Sequence, residues 1–413
     1  MAEKTGDALK VTETAFSSTD CLGESDSDLT ELASLDPYEA LSELEAVWED
    51  QYELSLEKIK CPKRKRHIEF IPIRQFNIDH LDDPYKDPSI VELVHKMAAL
   101  TVRLQVSKFS SIRPQPPYPP EERVKPNGES RIIRGTGFVD NAYVFTEESG
   151  KLCPCIECKK SAIPKTRWGQ INVKTAGHVV HDYYEAEETV CYFNFDEDNT
   201  DVSSIPSLVG SRDSVGVCTL RDDQFKVIFY THNVEFAEQL SKLVSRFTVH
   251  QQVLVRKYYG NSETPVPDVN FYHKVIDLFS DRANVQILHQ ALDHFGGMLN
   301  KRVQENCPIA PNSTPTDCNL VIVVSHPHGC GKYVSLGRFR TRKTISDDFN
   351  PTGKVLNWLT SSFYLYTTHT CQGSSGAPVF ILSKERIGKV STQIHSKFLA
   401  KFGLSRSGYS LDI

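Results

Sequence analysis

The stretch Thr368-His369-Thr370-Cys371-Gln372-Gly373-Ser374-Ser375-Gly376-Ala377-Pro378-Val379-Phe380 sets one serine, Ser375, among small residues, with Gly373 before it and Gly376 after it. A turn this tight needs glycine, because its backbone enters conformations that a side chain forbids. It can aim two backbone N–H groups at one point beside the hydroxyl, an arrangement suited to an oxygen that gains negative charge. Ala377 and Pro378 lead into the apolar run Val379-Phe380-Ile381-Leu382, which reads as a strand leaving the turn.

Three more stretches give this turn a context. Ile132-Ile133-Arg134-Gly135-Thr136-Gly137-Phe138-Val139 reads as a strand interrupted by Gly-x-Gly. Val173-Lys174-Thr175-Ala176-Gly177-His178-Val179-Val180 is a strand that ends in small residues before a histidine. Leu320 to Gly329 is a β-branched run followed by Ser-His-Pro-His-Gly, and Tyr333-Val334-Ser335-Leu336-Gly337 extends it. On these residues the chain resembles the chymotrypsin-like serine proteases, the intracellular trypsin-like kind included. Their nucleophile sits in a Gly-Asp-Ser-Gly-Gly-Pro turn; Ser374 replaces the Asp here and Ala377 the second Gly. Their general base follows a Thr-Ala-Ala-His-Cys-like segment, which matches His178; His181 is a nearby rival without the Thr-Ala-Gly approach.

The resemblance covers about residues 131–410. It implies a mainly β fold of two antiparallel six-stranded barrels with the cleft between them. The chain then divides into residues 1–67, 68–130 and a protease domain at 131–413, with a first barrel at 131–245, an insertion at 246–315 and a second barrel at 316–413. It implies His178 as base, Ser375 as nucleophile, and the N–H groups of Gly373 and Ser375 as oxyanion donors, with no cofactor. A positioned base is worth about 10²–10⁴ in rate.

The third member is less sharply marked. The stretch best matching the family's acid-bearing strand is Glu235-Phe236-Ala237-Glu238-Gln239-Leu240, which makes Glu235 the first candidate. Asn233 would orient the ring without charge, and Asp213, Asp222 and Asp223 are further options. Phe236, Leu240 and Leu243 also fit helical spacing.

Thr370, five residues before Ser375, and His395, twenty after it, resemble the Thr–His pair lining the primary pocket of glutamate-specific bacterial and picornavirus-type proteases. Both side chains can donate to an acid or an amide, so the implied cleavage is after Glu or Gln. The bland alternative for His395 is a satisfied core histidine. Two other classes remain: a pseudoprotease that uses the same fold as a binding module, and a nuclear adaptor in which the Gly-Ser-Ser-Gly turn is incidental.

Composition bounds the rest. The chain has 413 residues and a net charge of -6, with no run of about eighteen apolar residues. This argues against membrane spanning and gives no global case for nucleic acid; the expected partner is a protein or peptide substrate. The N-terminus has no basic-then-apolar leader pattern, so the eleven cysteines are expected as reduced thiols in a cytoplasmic or nuclear protein. Oligomeric state is left open. Cys153, Cys155 and Cys158 admit a structural zinc with Cys191 as fourth ligand, or they are buried or redox-sensitive free thiols.

Residues 1–35 are acidic and rich in Ser and Thr, a solvated tail or a phosphorylated docking segment. Asp36-Pro37 opens an amphipathic helix through Leu41, Leu44, Trp48, Tyr52 and Ile59. Lys63-Arg64-Lys65-Arg66-His67 is a solvated junction or a nuclear localisation signal. A short helix begins at Asp87-Pro88, a strand covers 100–106, and 113–128 is a Pro-rich linker or a Pro-rich recognition ligand. Within the insertion, Val285 to Met298 has helical spacing. Strands are expected at 355–360, 363–367 and 391–396.

Overall fold

The computed structural model describes residues 47–48, 61–111, 113, 132–217, 223–259, 319–345, 360–383, 386, 392–399, 403–408 and 410–412. Its first strands are β1 (Val47–Trp48), β2 (Ile71–Pro72), β3 (Thr101–Val106), β4 (Ile133–Phe145), β5 (Trp168–Thr175), β6 (Thr189–Tyr192), β7 (Ser207–Val209), β8 (Val215–Val217) and β9 (Gln224–Thr231). They are followed by β10 (Leu320–Ser325), β11 (Tyr333–Ile345), β12 (Thr360–Tyr366), β13 (Pro378–Leu382), β14 (Gln393–Leu399), β15 (Leu404–Ser407) and β16 (Ser410–Asp412). The helices are α1 (Pro88–Leu100), α2 (Ile156–Lys160), α3 (Tyr183–Glu187) and α4 (Val234–Tyr259).

The strands form two antiparallel sheets, so the chain is mainly β. In the second sheet β10, β11, β12, β15, β14 and β13 pair in a closed ring of six, with β2 added on β11 and β16 on β12. Every residue of β10, β13 and β14 is buried. That is why Leu320 to Val324 reads as an unbroken apolar run: a strand covered on both faces has no reason to alternate. The first sheet runs β7-β6-β3-β4-β5-β9-β8, with β1 on β4. It curls until β7 meets β9, where a single bridge joins Gly210 to Phe229 and the Ser211 N–H donates to the Ile228 carbonyl at 2.9 Å. Strand β9 alternates between buried and half-buried residues, as expected of a barrel wall with one face inward.

Helix α1 starts where expected: the Asp87 carboxylate accepts from the Ser89 N–H at 3.0 Å and Pro88 takes the first turn. It buries Ile90, Leu93, Val94 and Met97. Helix α4 buries Ala237, Leu240, Val244, Phe247 and Leu254 at helical spacing, and the Phe247 ring meets Phe138 of β4 edge-on at 5.4 Å.

The structure differs from the sequence reading in four places. Strand β3, placed ahead of the first barrel at 68–130, is an inner strand of that sheet, paired with β4 and β6. The segment with the acid-strand resemblance, Glu235 to Leu240, is the start of α4, and that helix runs past the barrel boundary drawn at 245. Val47 and Trp48, assigned to an amphipathic helix, pair as a strand with Arg134 and Ile133. The basic run enters a 3₁₀ turn, Arg64–Glu69, with Arg64, Lys65 and Arg66 exposed and the His67 ring turned onto Phe70 and His328. The acidic tail, the rest of the 36–59 helix, nearly all of the Pro-rich segment and the 285–298 helix lie outside the described residues.

Candidate active site

The turn that carries Ser375 is fixed by two glycines. Gly373 has φ +90°, and a Cβ there would stand 2.5 Å from the His326 carbonyl oxygen. Gly376 has φ +88°, and a Cβ would stand 1.9 Å from the Thr136 carbonyl oxygen. Both positions therefore exclude a side chain twice over, by backbone conformation and by space. Within the turn the N–H of Ser374 donates to Cys371 and that of Gly376 to His395. The N–H groups of Gly373 and Ser375 donate to nothing among the described residues. They are the two groups the sequence reading assigned to oxyanion binding.

Thr136, inside the Gly-Thr-Gly of β4, ties this turn to the first sheet. Its N–H donates to the Ser375 carbonyl at 2.9 Å, and its hydroxyl donates to the Gly373 carbonyl at 2.7 Å. The same hydroxyl accepts from the His326 N–H at 3.0 Å, and its carbonyl accepts from the Thr175 hydroxyl at 2.7 Å. Thr136 thus links the strand ends that carry His178 and Ser375.

His178 follows the end of β5. Its Nε2 lies 2.7 Å from the Ser375 hydroxyl oxygen. Its Nδ1 lies 2.9 Å from each carboxylate oxygen of Asp223, and its own N–H donates to Asp223 at 2.9 Å. The carboxylate beside the His178 ring is therefore Asp223, just ahead of β9, and not Glu235. Glu235 is exposed in the first turn of α4. Asn233 caps that helix, its side-chain oxygen accepting from the Phe236 N–H at 3.0 Å. Asp213 accepts from the Tyr230 hydroxyl at 2.9 Å, and Asp222 lies outside the described residues. Asp223 lacked a strong sequence signal because the strand it precedes, Gln224-Phe225-Lys226-Val227-Ile228-Phe229, departs from the family's apolar pattern.

Burial alone would raise the Asp223 pKa. The electrostatic attraction and hydrogen bond of the His178 ring, the charge of Lys397 and the Ser396 hydroxyl outweigh it and hold the carboxyl at about 2. Ser396 donates directly to Asp223, while its carbonyl lies 3.1 Å from the Ser375 oxygen. A serine hydroxyl has one proton, and the shorter approach is to His178. Lys397 is itself lowered to about 8 by burial and by Arg406, with Asp223 opposing the shift.

The loop that carries His178 is held by residues the sequence reading passed over. Arg113 donates to the His178 carbonyl at 2.8 Å and to both carboxylate oxygens of Glu185, at 2.8 and 2.7 Å. Glu185 also accepts from the N–H groups of Ser110 and His181. Both members are buried. His181 thus meets Glu185 through its backbone, while His178 is the ring at the serine.

Thr370 and His395 are buried near the turn but share no hydrogen bond among the described residues. The Thr370 hydroxyl lies 3.1 Å from that of Ser405. His395 Nδ1 lies 2.7 Å from the Tyr366 hydroxyl. Ser375 and His395 have no exposed surface, and His178 is 6% exposed.

The cysteine cluster is drawn differently from the sequence expectation. Cys191 is buried in the core of the first sheet, opposite Leu104 and Leu208, and burial pushes its thiol pKa well up. The ligand-type side chain beside Cys153, Cys155 and Cys158 is His232, at the end of β9. Its Nε2 lies 3.5 Å from the Cys155 sulfur and 3.3 Å from that of Cys158. Three thiolates and an imidazole suit a closed tetrahedral zinc site. All seven cysteines among the described residues are free of disulfides. No helix among those residues is long and apolar enough to cross a membrane.

No family model and no curated protein matches the chain. Among solved structures it is similar to the Rv3671c protease in its inactive form, at 13% identity and a TM-score of 0.31 over 78% of this chain and 91% of that one. The active form of that protease from M. tuberculosis gives 13% identity and a TM-score of 0.32 over 78% and 82%. The serine endoprotease from Yersinia pestis gives 13% identity and a TM-score of 0.29 over 76% and 60%. Likeness this slight carries no argument about function, which rests on the strand topology and the geometry around Ser375.

Proposed function

We propose that the chain is a serine endopeptidase whose triad is Ser375, His178 and Asp223. The observation that carries this reading is the unbroken line from Asp223 through the His178 ring to the Ser375 hydroxyl, with contacts of 2.9 and 2.7 Å. With Asp223 accepting the Nδ1 proton, Nε2 presents its lone pair to the serine. During attack the Ser375 oxygen bonds to the scissile carbonyl carbon and its proton passes to Nε2. The carbonyl oxygen takes the negative charge and is held by the N–H groups of Gly373 and Ser375, each worth about 3–4 kcal/mol. The C–N bond then breaks, Nε2 returns the proton to the leaving amine, and water releases the acyl group by the same steps.

Cleavage after Glu or Gln is the finer reading. With the Tyr366 hydroxyl donating to Nδ1, a neutral His395 carries its proton on Nε2, the form that donates to an acidic or amide side chain. A second reading, a pseudoprotease that binds other proteins, draws support from the complete burial of Ser375. One experiment separates the two. A fluorophosphonate probe labels the native chain and not Ser375→Ala if the enzyme is active, and a peptide library is then cut after Glu or Gln. Absence of labelling in the native chain favours the binding module, and cutting mainly after Lys or Arg removes the specificity reading.

A further inference from the structure

Beside the nucleophile turn lies a second group of ligand-type side chains that the triad does not use. Cys61, His67, His328 and Cys371 each bring one ligand atom, and these atoms all lie within 4.8 Å of one another. They come from three distant pieces of chain: the segment that includes the basic run, the turn after β10, and the approach to Ser375.

The spacing is that of a tetrahedron. With Zn–S about 2.3 Å and Zn–N about 2.05 Å, the edges of a tetrahedral site are about 3.8 Å between sulfurs and about 3.6 Å from sulfur to nitrogen. The Cys61 and Cys371 sulfurs are 3.9 Å apart, and the Cys371 sulfur is 3.5 Å from His67 Nε2. A disulfide would require about 2.05 Å. The rings of His67 and His328 face the same space, with centroids 5.1 Å apart at a 56° tilt. Among the described residues His328 Nε2 is buried with no hydrogen-bond partner, a cost that a metal bond removes. The Lys63 N–H points at the Cys61 sulfur at 3.3 Å, the kind of outer contact that steadies a ligating thiolate. Two thiolates and two neutral imidazoles cancel a 2+ charge, so the filled site tolerates its half-buried position.

We infer that Cys61, His67, His328 and Cys371 bind a structural zinc ion that clamps the N-terminal segment onto the oxyanion turn. Cys371 precedes Gly373 by two residues and Ser375 by four. The backbone N–H of His328 donates to the Gln372 carbonyl at 2.5 Å. One ligand thus sits on the backbone that carries the Gly373 and Ser375 N–H groups, and a second is hydrogen-bonded to it. The other two sit on a segment about 300 residues away in sequence, so the ion closes a long loop. All four positions are taken by protein, which makes the ion structural and leaves no place for a substrate atom.

Metal content tests the site without reference to catalysis. The full chain, purified under reducing conditions, should hold two zinc ions, one here and one at Cys153, Cys155, Cys158 and His232. The double variant Cys61→Ser, Cys371→Ser should hold one. A separate Cys155→Ser, Cys158→Ser variant should keep the clamp ion. If the first double variant fails to fold, His67→Ala, at a partly exposed position, serves instead: reloaded with cobalt, it should lose the absorption of a two-thiolate, two-imidazole centre. A native chain with no zinc, or a clamp variant with the native amount, overturns the inference. The clamping effect rests on the hydrolase reading. Removal of this ion should slow fluorophosphonate labelling of Ser375 by about tenfold or more, because the oxyanion donors lose their fixed aim. Labelling at the native rate would discard the clamp, whereas a native chain that is never labelled discards the hydrolase reading and leaves the metal count to decide the site.

Discussion

In the proposed triad, proton transfer between Ser375 and His178 across 2.7 Å requires the far ring nitrogen to be held in one tautomer. Asp223 does this as an acceptor at 2.9 Å. Asp223→Asn offers an amide that can donate, which favours the wrong tautomer and should lower kcat by about 10⁴. Glu235→Gln, on the exposed side of α4, should leave kcat unchanged. Equal losses in both variants, measured by turnover of one peptide, would contradict the assignment. The same substitution has a stability signature. The folded Asp223 carboxyl lies near 2, below its ordinary 3.8. Its contribution is therefore fully present above pH 4 and lost as pH falls towards 2, so the acid unfolding of the Asn variant should be shallower there.

At the scale of elements, the turn after β5 depends on a charged pair as much as on apolar packing. Arg113 and Glu185 are almost fully enclosed, and together they hold the carbonyls of His178 and Val179 and the N–H of His181. Removing one member strands the other without its counter-charge. Arg113→Ala should cost about 3–5 kcal/mol in denaturant unfolding, far more than loss of the exposed pair of Lys86 and Asp83. A loss below about 1 kcal/mol would show that water reaches Glu185. Nothing in the sequence paired these residues, because Arg113 sits at the edge of a Pro-rich stretch that reads as a linker. Helix α4 was ambiguous for a related reason. Phe236, Leu240 and Leu243 mark a helix, but the likeness to a strand-borne acid competed with that period. The helix won because its apolar face covers β4.

For the molecule as a whole, the described stretch 61–111 is part of the body. β3 is an inner strand of the first sheet, β2 pairs with β11 of the second, and α1 packs its apolar face into the shared core. A chain beginning at residue 131 should therefore lose cooperative thermal unfolding, while one beginning at Cys61 keeps it; a sharp transition in the shorter chain would refute this. The sequence by itself determined the local items: the serine turn, since only glycine fits its backbone at 373 and 376; the strand ending just before His178; the buried run of β10; and the capped start of α1. Each is written in neighbouring residues. Tertiary structure alone decided which carboxylate meets the ring, that His232 and not Cys191 joins the three cysteines, and that Cys61 and Cys371 meet. Those pairings depend on how two curled sheets and their loops close in space, and sequence spacing does not encode distances between residues that are far apart along the chain.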